Sequence, residues 1–309
     1  MKNKTYSAHI CMLIASIAWG LMAPIGKDVM STEVTALSLA TFRMVGGAIC
    51  FWIASLFIKH EETKPHDLLQ FFFAALFAIV FNQGMYIFGL SLTSPINASI
   101  ITTMAPIATM ILAAIHLHEP ITNKKVGGVF LGAIGALILI LGSTGHNGAE
   151  SNSLGDLLCL LAQISFAVYL TFFKGLVTKY HPITCMKWMF TYAAICFIPL
   201  SYHEVSTLPF ASLSLQTWSE IMFVVVGATF MTFLLLMFAQ KTLRPTVLSM
   251  YNYTQPIVAS VVSVIIGLGT FGYMKGIAVV LVFAGVYLVT QSKSRAEMLK
   301  EMEKKESEK

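Results

Sequence analysis

Ten apolar runs, each near the length that crosses a lipid bilayer, recur along this chain of 309 residues. A transmembrane helix needs roughly 20 consecutive apolar residues. The runs cover residues 8–27, 35–58, 68–90, 95–116, 125–142, 155–174, 183–201, 218–239, 246–267 and 273–291. Only 11% of the residues are charged, against roughly 25% in soluble domains. Barrel strands alternate polar and apolar residues and these runs do not, so the sequence predicts an all-α, polytopic membrane protein with ten transmembrane helices.

The lysines and arginines divide unevenly between alternate loops. With the N-terminus inside, 17 of the 20 lie on the cytoplasmic side, Lys27 and Lys275 lie outside, and Arg43 lies within a span. Cytoplasmic loops carry the excess of positive charge in membrane proteins. The count therefore favours a multi-pass protein of the cell (cytoplasmic, inner) membrane with both termini in the cytoplasm. The formal net charge of +5 is then an orientation signal and indicates no nucleic-acid partner.

The second half of the chain repeats the first at an offset of about 150 residues. Residues 95–141 align without a gap on residues 245–291, and Pro106 then matches Pro256. Chance similarity between two apolar segments would not bring prolines into register. Each half holds five predicted spans, an odd number, so the second half must be inverted relative to the first, as in many secondary transporters. The predicted domains are a first five-helix repeat over residues 1–145, a second, inverted repeat over residues 153–291, and a charged cytoplasmic tail over residues 292–309.

The polar stretch "SMYNYTQPIV" at residues 249–258 lies inside the ninth predicted span. Its Pro256 lies roughly 15 Å from the start of that span, near the bilayer midplane. A proline inside a helix frees a backbone carbonyl, which protein or water in a cavity must satisfy. Ser249, Asn252 and Tyr253 share a helix face with Pro256, and Ser99, Thr102, Thr103 and Pro106 form the same face in the other half.

These faces predict two broken helices that line a central substrate site. The alternative is that their polar side chains only join helices. The candidate substrate-binding residues are Trp19, Arg43, Asn82, Thr102, Thr103, Pro106, Gln163, Asn252, Tyr253, Gln255 and Pro256.

Arg43 is the most costly of these residues, because a charge at the centre of a membrane helix costs about 2.5–3.5 kcal/mol on insertion scales. It lies roughly 12 Å into the second predicted span, and no Asp, Glu or His lies deep in any predicted span to pair with it. Arg43 therefore either binds backbone carbonyls and helix ends as a structural clamp, or presents its guanidinium fork to a carboxylate of the substrate.

Several motifs resemble those of the EamA family within the drug/metabolite transporter superfamily. They are "ASIAWGLMAPIGK" in the first span, "FRMVGG" in the second, "SIITTMAPIATMILAAIHLHEPIT" in the fourth and "SMYNYTQPIVASVVSVIIGLGTFGYMKG" in the ninth. The resemblance implies five plus five helices, peripheral fifth and tenth helices, and a permease for small molecules, with export as the usual direction. The family often has a glutamate after the ninth helix, as Glu119 follows the fourth; here Gly269 takes that place.

The expected function is a permease or exporter of small organic metabolites, best guessed as amino acids or related amphipathic compounds, working by alternating access. Without intramembrane carboxylates, facilitated diffusion is the favoured mechanism, although backbone carbonyls can also hold sodium. A membrane channel and a non-transporting membrane scaffold are the alternatives. The expected partners are the substrate and the lipid bilayer, and the oligomeric state is left open, a homodimer included.

Neither an enzyme nor a cofactor or metal site is expected. The "HLHE" stretch at residues 116–119 lacks the H-E-x-x-H spacing of a zinc site, and the five cysteines form no C-x-x-C pair. No catalytic nucleophile or paired aspartates lie within the spans, so no catalytic residue is assigned.

Overall fold

The computed structural model describes residues 2–92, 98, 101–141, 153–265, 273–293 and 298. All regular elements within these residues are helical. The α-helices are α1 (Lys2–Met30), α2 (Ala36–Ser55), α3 (Pro65–Ala75), α4 (Asn82–Leu92), α5 (Ala105–His116), α6 (Asn123–Leu141), α7 (Ser153–Phe172), α8 (Lys174–Lys179), α9 (Pro182–Ser206), α10 (Leu215–Met222), α11 (Thr232–Gln240), α12 (Pro245–Met250), α13 (Thr254–Ile265) and α14 (Tyr273–Thr290).

Seven continuous helical stretches of the described chain are long and apolar enough to cross a membrane. They are Lys4–Met30, Ala36–Ser55, Pro65–Leu90, Ser153–Phe172, Pro182–Ser206, Leu215–Gln240 and Tyr273–Thr290. The prediction of an all-helical, polytopic membrane protein is confirmed. The count of ten spans and the inversion of the second half stay predictions.

Two of the long stretches contain a π-helical segment at corresponding places. Leu76–Phe81 joins α3 to α4, and Phe223–Met231 joins α10 to α11. At the 150-residue offset the two segments end at the same position, just before Asn82 in one half and Thr232 in the other. A π-helical turn holds an extra residue and is frequent at functional sites.

A helical stretch is interrupted just before each of the two matched prolines. Residues 103–104 form a turn, and α5 then begins with Pro106 as its second residue. In the other half the 3₁₀ turn Tyr251–Tyr253 separates α12 from α13, in which Pro256 is the third residue. Because the first turn of a helix has no internal partner for its N–H groups, proline is tolerated there. The predicted breaks are therefore present, and each proline starts a new helix; Ser99 lies outside the described residues.

Helix pairing follows a regular pattern across the two halves. α1 packs against α11 and α13, while α7 packs against α4 and α5. The pairs α2–α9, α5–α12 and α6–α14 each join one helix from either half. The helices thus meet mainly across the halves, which places the core between them.

α6 and α14 cross at backbone contact distance. A Cβ atom added to Gly285 would lie 2.5 Å from the carbonyl oxygen of Gly128, and one added to Gly135 would lie 2.7 Å from that of Ala278. Small residues allow membrane helices to approach this closely, and the packing gained there drives their association.

The end of α5 carries a backbone strain that a single substitution should relieve. His118 adopts φ 54, a left-handed conformation that costs about 1 kcal/mol for a residue with a side chain and little for glycine. We expect His118→Gly to raise the melting temperature of the purified protein by about 2 °C. His116→Gly, inside the last turn of α5, is the matched control and should lower it. An unchanged or lower melting temperature for His118→Gly would mean that its side-chain contacts outweigh the strain.

Candidate functional site

A cavity lies between the two halves and extends to the end of the molecule where α1 ends and α2 begins. It holds about 910 Å³ of empty space, including the part that is open to the outside. It is lined by Trp19, Met22, Gly26, Met30, Leu39, Asn82, Gln83, Tyr86, Ile87, Leu90, Thr102, Gln163, Phe166, Phe233, Asn252 and Gln255. Its inner end therefore meets both helix breaks, and its outer end lies near Met30 and Leu90.

Five carboxamide side chains form the polar wall of this cavity. Gln83 Nε2 donates a hydrogen bond to Asn82 Oδ1 (2.6 Å), and Asn82 Nδ2 donates to the carbonyl oxygen of Ala162 (2.9 Å). Gln255 Nε2 lies 3.5 Å from Asn252 Oδ1. The Gln163 side chain makes no hydrogen bond within the described chain. Because each carboxamide holds two donors and an acceptor oxygen, the wall keeps hydrogen-bonding capacity for a ligand.

Aromatic and aliphatic side chains form the rest of the lining. The rings of Trp19 and Phe233 meet edge to face, with centroids 6.0 Å apart. Trp19 Nε1 is buried and has no hydrogen-bond partner among the described residues, although buried polar groups are normally paired. The lining contains no Asp, Glu, Lys, Arg or His among the residues that the structure describes. The cavity can therefore exchange hydrogen bonds and bury apolar surface, but it offers no countercharge.

The structure brings six of the eleven predicted residues to this cavity and leaves five away from its wall. Those that line it are Trp19, Asn82, Thr102, Gln163, Asn252 and Gln255. Those that do not are Arg43, Thr103, Pro106, Tyr253 and Pro256. That any of them binds a substrate stays a prediction.

Tyr253 joins the broken helices of the two halves. Its side chain is fully buried, and its hydroxyl lies 3.2 Å from the carbonyl oxygens of both Thr103 and Val129. Its ring fills the space beside Gly132, where an added Cβ would lie 2.5 Å from the ring carbon Cδ2. Tyr253 thus satisfies a backbone carbonyl next to the break, as the joining alternative for these polar residues expected.

Arg43 is fully buried between α2 and the π-helical segment Phe223–Met231. Its Nε donates a hydrogen bond to Thr229 Oγ1 (2.9 Å), and that hydroxyl donates to the carbonyl oxygen of Val224 (2.8 Å). The nitrogens Nη1 and Nη2 have no partner among the described residues. Among the described residues Arg43 thus contacts a side-chain hydroxyl and no backbone carbonyl, and both alternatives, the structural clamp and the substrate ligand, stay predictions.

A buried arginine with one neutral partner should give asymmetric mutational effects. Replacing a poorly paired buried charge by a hydrophobic side chain of similar volume is neutral or stabilising, whereas removal of its partner is costly. We expect Arg43→Met to keep or raise the free energy of unfolding. Thr229→Val should lower it by about 2 kcal/mol, because the charge then loses its hydrogen bond. Thermal unfolding in detergent measures both; equal losses in the two variants would contradict an isolated buried charge.

Three polar or aromatic residues of the cavity lie outside the candidate set but could have been found from it. Tyr86 lies four residues after Asn82, and Phe166 three residues after Gln163, so each shares a helix face with a predicted residue. Gln83 follows Asn82 directly. The aliphatic members, such as Leu39 and Ile87, carry no such signal, because they do not differ in sequence from lipid-facing residues.

Three polar contacts lie at the end of the molecule opposite the opening of the cavity, one between the halves and two within the second half. His9 Nδ1 lies 2.7 Å from the hydroxyl of Tyr251, and Tyr169 donates a hydrogen bond to Gln240 Oε1 (2.9 Å). Lys174 Nζ donates to a backbone carbonyl oxygen, that of Leu243, at 3.0 Å. Burial lowers the pKa of the Lys174 ammonium from its ordinary value, and the field of the Glu119 carboxylate opposes that shift.

The "HLHE" stretch takes part in protein contacts at this end. The His116 ring stacks on Phe172, with centroids 4.0 Å apart. Glu119 Oε2 forms a buried ion pair with Lys125 Nζ at 2.8 Å. The corresponding Gly269 of the second half lies outside the described residues.

Comparison with known proteins shows which family this chain is related to. The model of the EamA-like transporter family matches residues 6–141 and again residues 153–291. The uncharacterized transporter YyaM of Bacillus subtilis is 25% identical over 230 residues, which are 74% of this chain and 75% of YyaM. A WAT1-related protein of Arabidopsis thaliana is 25% identical over 317 residues, which cover 93% of this chain and 86% of the Arabidopsis protein.

One solved crystal structure superposes with a TM-score of 0.74 at 18% identity, over 92% of this chain and 98% of the other. That likeness establishes the fold alone. Because the family model matches most of the chain, in two successive segments, the chain belongs to the EamA-like transporter family and is a membrane transporter.

Proposed function

We propose that this transporter is a permease or exporter of a small organic metabolite, which works by alternating access around the described cavity. The observation that carries the proposal is the carboxamide-lined cavity at which the broken helices of both halves meet. The protein acts on a bound solute that it moves, and no catalytic role is assigned to it.

We propose ten spans in two inverted repeats, with boundaries at residues 1–145 and 153–291 and a cytoplasmic tail at 292–309. The helix pairing supports this arrangement, since α1 with α11 and α13 corresponds to α7 with α4 and α5. The pairs α2–α9 and α6–α14 each join equivalent helices. An approximate two-fold axis generates such a pattern, and an odd number of spans in each half puts that axis in the membrane plane.

The distribution of positive charge supports cytoplasmic termini in the cell membrane. In that orientation the cavity extends outward, and the contacts of His9, Tyr169 and Lys174 lie on the cytoplasmic side of it. The described conformation is then an outward-facing one. Export requires the opposite conformation, in which the His9–Tyr251 contact between the halves opens and the outer ends of α1 and α4 close.

The cavity suits a neutral or zwitterionic amphipathic molecule. An ion without a countercharge is costly to bury, and the described lining carries no charged side chain. Carboxamides both donate and accept hydrogen bonds, so they match the ammonium and the carboxylate of a zwitterion. Amino acids or related compounds are therefore our candidate substrates. Since the described part of the lining also lacks a group that titrates near neutral pH, we propose facilitated diffusion down a gradient.

Two linked experiments test this function. Untargeted profiling of the medium from expressing cells, against empty-vector cells, should reveal one enriched zwitterionic or neutral metabolite. Purified protein in lipid vesicles should then take up that labelled compound with saturation and with stimulation by unlabelled compound inside. Flux that rises linearly without stimulation would replace the carrier by a channel. No flux of any enriched compound would favour a scaffold and overturn the proposal.

A further inference from the structure

A groove on the outer surface of the bundle, between α2 and α9, is separate from the cavity. It is lined by Val45, Ala48, Ile49, Trp52, Ile53, Thr191, Ala194, Ile195 and Ile198. It shares no residue with the lining of the cavity. The groove runs over Val45–Ile53 on α2 and Thr191–Ile198 on α9, which at 1.5 Å per residue is roughly 10–12 Å. That length is comparable with the roughly 15 Å of hydrocarbon in one leaflet.

The walls of this groove suit hydrocarbon. Eight of its nine lining residues are apolar or aromatic. The ninth, Thr191, is already engaged: its hydroxyl accepts a hydrogen bond from Trp52 Nε1 (2.9 Å) and donates to the carbonyl oxygen of Lys187 (2.7 Å). The groove therefore presents no open side-chain donor or acceptor that a polar solute would need.

A cation lies at one end of the groove. Lys187 Nζ is 4.6 Å from the centroid of the Trp52 ring and 5.6 Å from that of Trp188. Aromatic faces attract an ammonium group and hold it at this end. Neither ion pair found in the described chain includes Lys187. The Glu61 carboxylate attracts Lys187 electrostatically, but among the described residues no hydrogen bond or ion pair joins the two side chains, so the Lys187 donors stay available to an anion.

This end also lies at a membrane interface. α2 ends at Ser55 and α9 begins at Pro182, so the inner ends of both helices meet where Trp52, Trp188 and Lys187 cluster. Tryptophan is enriched at the level of lipid headgroups, and basic pockets between membrane helices bind anionic headgroups there. Helix association would instead favour small residues, whereas the rim of the groove carries Ile49, Ile53 and other exposed bulky side chains.

We propose that the groove binds one acyl chain of an anionic phospholipid whose phosphate contacts the ammonium group of Lys187. The site is distinct from the substrate cavity and does not depend on the transport mechanism. It requires only that the protein lies in a bilayer with its Lys187 end at the headgroup level.

The test is lipid binding to the purified protein by native mass spectrometry. Phosphatidylglycerol and phosphatidylcholine with identical acyl chains are the two probes. One lysine near a headgroup contributes about 1 kcal/mol, so the wild type should prefer phosphatidylglycerol about fivefold. Lys187→Gln should remove that preference. Lys124→Gln changes an exposed lysine at the start of α6 and should keep it.

A second measurement separates the groove from a simple ion site. Glycerol phosphate, which has the charge but no acyl chain, should fail to displace phosphatidylglycerol at equal concentration. Displacement by glycerol phosphate, or an unchanged preference in Lys187→Gln, would overturn the proposal. So would a dimer that forms without bound lipid and does not bind phosphatidylglycerol, because a second copy of the chain would then cover the groove.

Discussion

Replacing Gly285 by valine should prevent most of the protein from accumulating in a folded state. A Cβ atom at this position would lie 2.5 Å from the carbonyl oxygen of Gly128 and 2.7 Å from the backbone nitrogen of Gly132. Both neighbours are backbone atoms of α6 and cannot rotate away, so α6 and α14 would have to separate along their whole crossing. Overpacking costs about 1–3 kcal/mol where side chains can adjust, and we expect at least 3 kcal/mol here.

The measurement is size-exclusion chromatography of a fluorescent fusion in detergent, followed by thermal unfolding. Gly285→Val should lose its monodisperse peak or melt about 6–12 °C lower. Gly127→Val is the matched control, because an added Cβ at Gly127 has nothing within 4 Å, and it should elute and melt like the wild type. A monodisperse Gly285→Val protein with an unchanged melting temperature would show that the two helices do not cross as closely as described.

Replacing the cavity carboxamides by leucine should reduce transport about tenfold or more while the fold is retained. Asn252 lies in the 3₁₀ turn of the second half, and Gln163 lies on α7. A substrate that enters the cavity gives up its hydrogen bonds to water, and each carboxamide that is missing leaves a group unpaired at a cost of about 1–3 kcal/mol. Leucine is similar in size to both side chains, so the loss should come from polarity.

Thr171→Val is the control for Gln163→Leu on the same helix. Thr171 is fully buried and donates its hydrogen bond to the carbonyl oxygen of Ala167 in its own helix (2.8 Å), and it does not line the cavity. Initial uptake rates into lipid vesicles at matched protein levels measure the effect, with melting temperatures as the check on folding. Equal losses in Thr171→Val and Gln163→Leu, or full activity in Asn252→Leu, would contradict a substrate site in this cavity.

Much of the architecture could be predicted because it depends on properties local to each helix. A segment of roughly 20 apolar residues has few alternatives to a membrane helix, since its backbone polar groups need partners within the segment. Pro106 and Pro256 predicted the two breaks because proline lacks the N–H that a continuous helix requires. Asn252 was a candidate because helical spacing places it on the same face as Pro256.

Only the tertiary structure separated the cavity from its surroundings. The sequence indicates which residues share a helix face, but not which neighbouring helix that face meets. Tyr253 and Asn252 are adjacent in the chain; one turns to the carbonyls of Thr103 and Val129, and the other lines the cavity. The partner of Arg43 could not be predicted either, because Thr229 lies 186 residues further along the chain.

The apolar lining of the cavity and the groove between α2 and α9 could not be predicted for a different reason. In a bilayer, lipid and protein interior are equally apolar, so hydropathy does not distinguish Phe233 in the cavity from Ile195 in the groove. The π-helical segments make the orientation of side chains still harder to predict, because an extra residue rotates every following side chain relative to a regular helix. The sequence by itself determined that the chain is helical, spans the membrane and breaks at two prolines. The packing of those helices, which sets the partner of each face, decided where the cavity lies.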